Sequence, residues 1–200
     1  MPNRRGGGYP APMIGDFNPV QSLSLTVVTS QLVIQGTLRT RLRHLTDVLN
    51  EPDCKHLILF DATFMEIGSR RVVADAVVAE IQVDDLLFLH TNDTTESAQA
   101  LRTPKQAIST ILLAPPFTIE GEIHLPMETE LHQALGAFEE RFVPVTNARY
   151  WAYGVAESPN HVDLLVVNHV RAHVAVPSGV VWKTDGPAGM GSRGSGSNPW

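Results

Sequence analysis

Residues able to do chemistry are few and scattered in this 200-residue chain. His169 and His173 have the four-residue spacing that lets two imidazoles on one helix face hold zinc. Their surroundings, VDLLVVNHVRAHVAVP, are β-branched and read as strand. On a strand the two would stand about 13 Å apart at ~3.3 Å per residue, too far for one ion. His161 could join them only across a hairpin. Cys54 follows Pro52-Asp53 and precedes Lys55 and His56, neighbours that could lower a thiol pKa. It is read as a free thiol in a loop. Asp84-Asp85 reads as a turn between hairpin strands, with alternation pointing the carboxylates apart. There is no G-x-S-x-G elbow, and Gly6-Gly7-Gly8 lacks the helix and Lys-Ser/Thr of a phosphate loop. The expectation is a chain with no catalytic residues, no metal site and no cofactor.

Charge gives a second set of candidates. Arg39, Arg41, Arg43 and His44 form a basic segment, with Arg70-Arg71 in a later loop. The corresponding later stretch carries Glu122, Glu128 and Glu130. One basic and one acidic segment suit head-to-tail association of copies, or contact with a protein partner. Nucleic acid is the alternative partner, but a net charge of −6 and a pI of about 5.7 disfavour it. Aromatics able to stack bases are few. Phe60, Phe64 and Tyr150 fall in expected core strands. Tyr150-Trp151-Ala152-Tyr153 is the one aromatic cluster, read as core, subunit contact or ligand wall in that order.

The elements that must position these residues are mostly strands. The chain is 43% hydrophobic and 18% charged, which suffices for a core. The segments 23–39, 56–67, 71–83 and 85–90 carry Val, Ile, Leu, Thr and Phe largely at period two. RLRHLTDVLNEP (41–52) is the exception. Leu42, Leu45 and Leu49 recur at helical spacing, Thr46 or Asp47 could cap the turn, and Asn50 and Pro52 end it. Residues 1–20 and 184–200 are Gly/Pro/Ser-rich and read as a disordered arm and tail, and 92–106 as a linker. A single cysteine forms no internal disulfide. There is no secretory pattern and no apolar run long enough to span a bilayer, so a cytoplasmic protein without membrane contact is expected.

The segments between the arm and the tail echo one another. Ile34-Gln35-Gly36 matches Ile119-Glu120-Gly121, 85 residues on. Leu45 and Leu49 match Leu131 and Leu135, and Asp61-Ala62-x-Phe64 matches Asn147-Ala148-x-Tyr150, each 86 residues on. The expectation is two copies of one β unit, at 21–91 and 107–183. Gly36 and Gly121, inside strands, read as bulges or tight corners. Asp47 and Asn50 read as helix caps, and Asp61 and Asn147 as structural residues beside a close backbone approach.

These motifs resemble a bacterial domain family of unknown function. Its members pair h-x-G-x-h with R-L-(S/T)-D-x-L-N and then F-L-x-L-T-D-A. The first unit carries Ile34-Gln-Gly36-Thr-Leu38, Leu45-Thr-Asp47-Val-Leu49-Asn50 and Leu57-Ile-Leu-Phe-Asp61-Ala62. The second departs at the helix, where Leu131-His-Gln-Ala-Leu135-Gly136 stands. The resemblance implies a fold but no activity. The fold class expected is mainly β: two tandem small, strongly bent, barrel-like repeats, each with one short helix. The alternative is a single β-sandwich built from both halves. The function expected is non-enzymatic protein binding or self-assembly, the alternative being RNA or single-strand binding through Arg39–His44.

Overall fold

The computed structural model describes residues 19–42, 44–91, 105–126, 133, 136, 140–154 and 158–177. Arg43, Glu128 and Glu130, most of the second expected helix, and the arm, linker and tail lie outside these, apart from a few flanking residues. The first half runs β1 (Gln21–Thr29), β2 (Leu32–Thr40), α1 (Leu45–Leu49), β3 (His56–Glu66), β4 (Val72–Gln82) and β5 (Leu86–Thr91). The second runs β6 (Lys105–Ala114), β7 (Phe117–Pro126), β8 (Phe142–Ala152), β9 (Asn160–Asn168) and β10 (His173–Ala175).

The chain is mainly β, and its ten strands form one sheet in the order β10-β6-β7-β8-β9-β5-β1-β2-β3-β4. Every neighbouring pair is antiparallel. The sheet is open, with β10 at one end and β4 at the other. Within each half the fifth strand returns to pair with the first, as β5 with β1 and β10 with β6. The halves meet where β9 pairs with the outer edge of β5.

Both faces of this junction are covered. Val27, Leu89 and Val166 lie side by side on β1, β5 and β9, and belong to one core with Leu25, Leu59 and Phe142. Val28, Phe88 and Val167 are next to them in sequence, so they point the opposite way. They belong to a second core with Ile119, Val145 and Tyr150. The central strands are therefore apolar at successive positions, as LLFLH in β5 shows, instead of alternating.

Both mid-strand glycines sit at register shifts, Gly36 between β2 and β3 and Gly121 between β7 and β8. Opposite them Asp61 and Asn147 take left-handed backbone, with φ of 51° and 49°. The buried Ala62 and Ala148 follow, and their Cα atoms lie within 3.4 and 3.2 Å of where a glycine Cβ would be. Asp61 and Asn147 thus act through their main chain at a close crossing, where a small neighbour is needed.

Two expectations are corrected. Asp84-Asp85 does not turn a hairpin. Val83–Asp85 is a 3₁₀ turn that carries the chain from β4 across to β1, because β5 pairs there and not with β4. Neither Thr46 nor Asp47 caps α1. His44 occupies the N-cap without a side-chain bond, and Asp47 stands in the first turn, where its charge suits the helix dipole. Asn50 is the C-cap residue, but its side chain reaches across to the second half. It accepts from the Phe142 amide at 2.8 Å and donates to the Phe142 carbonyl at 2.9 Å.

Candidate functional site

Two places in the described structure have features that folding alone does not demand. The first is the free edge of β4. This strand reads VVADAVVAEIQ, and Val72, Val73, Val77 and Val78 are 52%, 54%, 79% and 54% exposed. Long valine-rich edges are rare because they template further pairing, and charge or proline normally blunts them. Asp75 and Glu80 are the only charges here, and Asp75 accepts a 2.8 Å bond from Thr63 on β3.

The second is a cavity of 360 Å³ that spans the two halves, within the range of small-molecule sites. Val33, Ile67, Phe117 and Trp151 give it apolar walls, and Gln35 and Asn160 bring amides to it. His90 from β5 and Tyr150 from β8 also line it, both more than nine-tenths buried, with His90 Nε2 3.2 Å from the Tyr150 hydroxyl. His90 Nδ1 is sealed from solvent and makes no hydrogen bond of ordinary geometry. The Thr91 backbone lies near enough only to offset part of the cost of burial. Burial pushes the Tyr150 phenol up, and the Arg70 charge at the cavity pulls weakly the other way. Glu66, which also lines the cavity, accepts from Arg71 and Ser69, which hold its carboxyl below the usual range. Arg70 has a φ of 51°, fixed by the Glu66–Arg71 turn, where its amide donates to the Glu66 carbonyl at 3.2 Å.

Burial holds the His90 imidazole below its ordinary value of 6.5, and His169 moves the same way for the same reason. The unfolded chain titrates near 6.5, so below that pH it takes up protons that the folded chain refuses. Stability is therefore fully present above about pH 6.5 and lost as pH falls through the folded values. Thermal unfolding followed from about pH 7.5 down to about 5.5 is expected to show a falling midpoint. The slope should be shallower in His90→Gln. An unchanged slope in the variant would assign the titration to other groups.

The residues singled out by sequence are dispersed. Arg39 is exposed and lies over the Phe60 ring at 4.3 Å, and Arg41 is exposed at the end of β2. His44 begins α1. Glu122 on β7 accepts from Asn147 at 2.8 Å, and its neighbour Glu120 is paired with Arg149. Burial and the Glu51 charge push the Cys54 thiol up, opposite to activation. His161 lies on β9, His169 in a 3₁₀ turn and His173 at the start of β10, so the segment read as one strand is interrupted. Among the described residues no three His, Cys, Asp or Glu side chains converge as metal ligands. No helix among them is long and apolar enough to cross a membrane.

Asp84 and Asp85 are tied to the second half. Arg141 donates to the Asp84 carboxylate at 2.5 Å, and Arg171 donates to the Asp84 carbonyl at 2.6 Å and lies 3.8 Å from Asp85. His90 had one sequence signal, a polar residue closing a run apolar on both faces. The chain was compared with protein-family models, curated proteins and solved structures, and it matches none of them.

Proposed function

We propose that the protein is a binding and assembly protein whose copies join through the ends of their sheets, β4 of one against β10 of the next. The position of β4 at the end of the sheet, with no strand beyond it among the described residues, carries this reading; the exposed Val77 and Val78 lie just beside the stretch that would pair. The chain's own junction supports the choice of partner. β4 and β9 hold the same place in their halves: Ala76 opposes Ala62 as Val162 opposes Ala148. β5 and β10 also correspond: Leu89 opposes Val27 as Val174 opposes Leu112. The β5–β9 pairing within the chain is thus a template for a β10–β4 pairing between chains. Since Leu89 opposes Val166 and Phe88 opposes Val167, the matching register puts Val174 opposite Glu80 and His173 opposite Ile81. The same correspondence supports reading the chain as two copies of one strongly bent β unit, with the family resemblance resting on that unit. The contact is head-to-tail.

The test is covalent. A chain carrying Glu80→Cys is mixed with one carrying Val174→Cys, both on a Cys54→Ser background. Facing residues on paired antiparallel strands have Cα atoms ~4.5–5.5 Å apart, within disulfide reach. Mild oxidation is expected to give a dimer of the two different chains. Val77→Cys paired with Val174→Cys, three residues out of register, should give none. Association by strand pairing should also survive about 0.5 M salt, where screening shortens to a few ångströms and contacts between charged segments fail. A native mass of one chain, 21.9 kDa, at all concentrations, or equal cross-linking from Val77, overturns the proposal.

A further inference from the structure

We propose that the cavity between the halves binds an uncharged small molecule with a ring for its body and an edge that both donates and accepts hydrogen bonds, as an aromatic amide does. The residues that line it belong to neither β4 nor β10, so this binding does not depend on assembly through the sheet ends.

Strand register places a polar row at the cavity. Thr26 on β1 lies opposite Gln35 on β2 and opposite His90 on β5, so these side chains stand side by side on one face of the sheet. Thr26, Gln35 and His90 all line the cavity. The same row in the second half is Ile111 on β6, with Glu120 on β7 and Ala175 on β10. There Glu120 is paired with Arg149, and the other two side chains are apolar. The strand arrangement thus does not require a hydroxyl, an amide and an imidazole at these places. Thr26 is 6% exposed, and among the described residues its hydroxyl has no hydrogen-bond partner. Buried polar groups are normally satisfied, and an exception beside a cavity points to a partner that enters it.

The chemistry of the lining sets the ligand class. Phe117, Tyr150 and Trp151 line the cavity together with Val33 and Ile67, surfaces that take up a ring-shaped apolar body. Thr26, Gln35 and Asn160 offer both donors and acceptors. The His90–Tyr150 bond adds an acceptor in either tautomer, because the phenol oxygen keeps a lone pair whichever partner donates. A carbonyl and an N–H on one ligand edge are both matched by such a set. The charged groups of the lining are already engaged. Glu66 is bound by Arg71 and Ser69, and Arg70 has an interaction of its own. Burial keeps His90 and Tyr150 neutral. A charged ligand would give up its hydration here with no counter-charge set aside for it, so the site favours a neutral one.

Calorimetric titration of the full chain at about pH 7.5, where a free histidine is neutral, tests this with 3-phenylpropanamide. Two charged compounds of nearly the same shape, 3-phenylpropanoate and 3-phenylpropylammonium, are titrated separately. The amide is expected to bind, and both ions at least about tenfold more weakly. Thr26→Val keeps the shape of the side chain and removes its hydroxyl, and should weaken amide binding about two- to tenfold. Gln35→Met, at an exposed position that tolerates the change, should weaken it to a similar extent. No heat with the amide, binding of either ion as tight as that of the amide, or amide binding untouched by both Thr26→Val and Gln35→Met overturns the proposal.

Discussion

Replacing Phe88 with alanine is expected to destabilise the fold by about 3–5 kcal/mol, the range for deleting a fully buried phenylalanine. Phe88 has no exposed surface. Its ring meets Phe117 edge-on at 5.1 Å between centroids, and Tyr150 at 4.9 Å in a tilted arrangement. Those contacts draw in β7 and β8, while Val28 and Val167 flank Phe88 on the paired strands β1 and β9. One side chain therefore holds parts of both halves. The loss should fall toward the upper end of the range because Phe117 and Tyr150 already line the 360 Å³ cavity. A void that opens into an existing one leaves few neighbours able to collapse into it. Urea unfolding of the full chain checks this: the midpoint should fall while the slope holds, as for a change in stability alone. A loss below about 1 kcal/mol would mean that Phe88 packs far less tightly than its contacts indicate.

The second large effect separates two residues that look alike in sequence. Alanine at Gly121 is expected to cost about 3 kcal/mol, and alanine at Gly36 about 1 kcal/mol. A Cβ on Gly121 would stand 2.6 Å from Val145 Cγ1 and 2.9 Å from the Thr146 carbonyl oxygen. The valine methyl can rotate away, but the carbonyl belongs to a strand fixed in the sheet. A Cβ on Gly36 would meet Leu59 Cβ and the Phe60 carbonyl oxygen at 3.2 Å, a gap that closes with a shift of a few tenths of an ångström. Both variants should keep their β-sheet circular dichroism and differ in unfolding midpoint. Equal losses would mean that β7 and β8 part as readily as β2 and β3.

Much of the fold could be read from local pattern. Period-two runs marked the strands, leucine spacing marked α1, and a lone glycine within each second strand marked the register shifts. The misreadings arose where the decisive contact is distant in sequence. Asp84-Asp85 has the composition of a hairpin turn, and nothing nearby tells whether the next strand folds back on β4 or crosses to β1. Asn50 has the composition of a helix stop, yet its amide binds the Phe142 backbone 92 residues on. The cavity was illegible for the same reason. His90 and Tyr150 are 60 residues apart, and Tyr150 alone looks like a core aromatic. The basic and acidic segments were visible as charge, but composition cannot show that Arg39 lies over a ring or that Glu122 is held by Asn147.

The junction between β5 and β9 also has a consequence in time. A ribosome finishes β5 at Thr91 and does not finish β9 until Asn168, an interval of about 4–15 s at ~5–20 residues per second. Throughout it the first half has all its own strands but lacks the neighbour that covers Phe88 and the outer edge of β5. A nascent chain in that state presents an apolar strand edge to any other nascent chain beside it. On a crowded polysome, the β9 that arrives first can belong to a neighbouring chain, so the rate of translation between residues 91 and 168 helps decide whether each molecule closes its own junction.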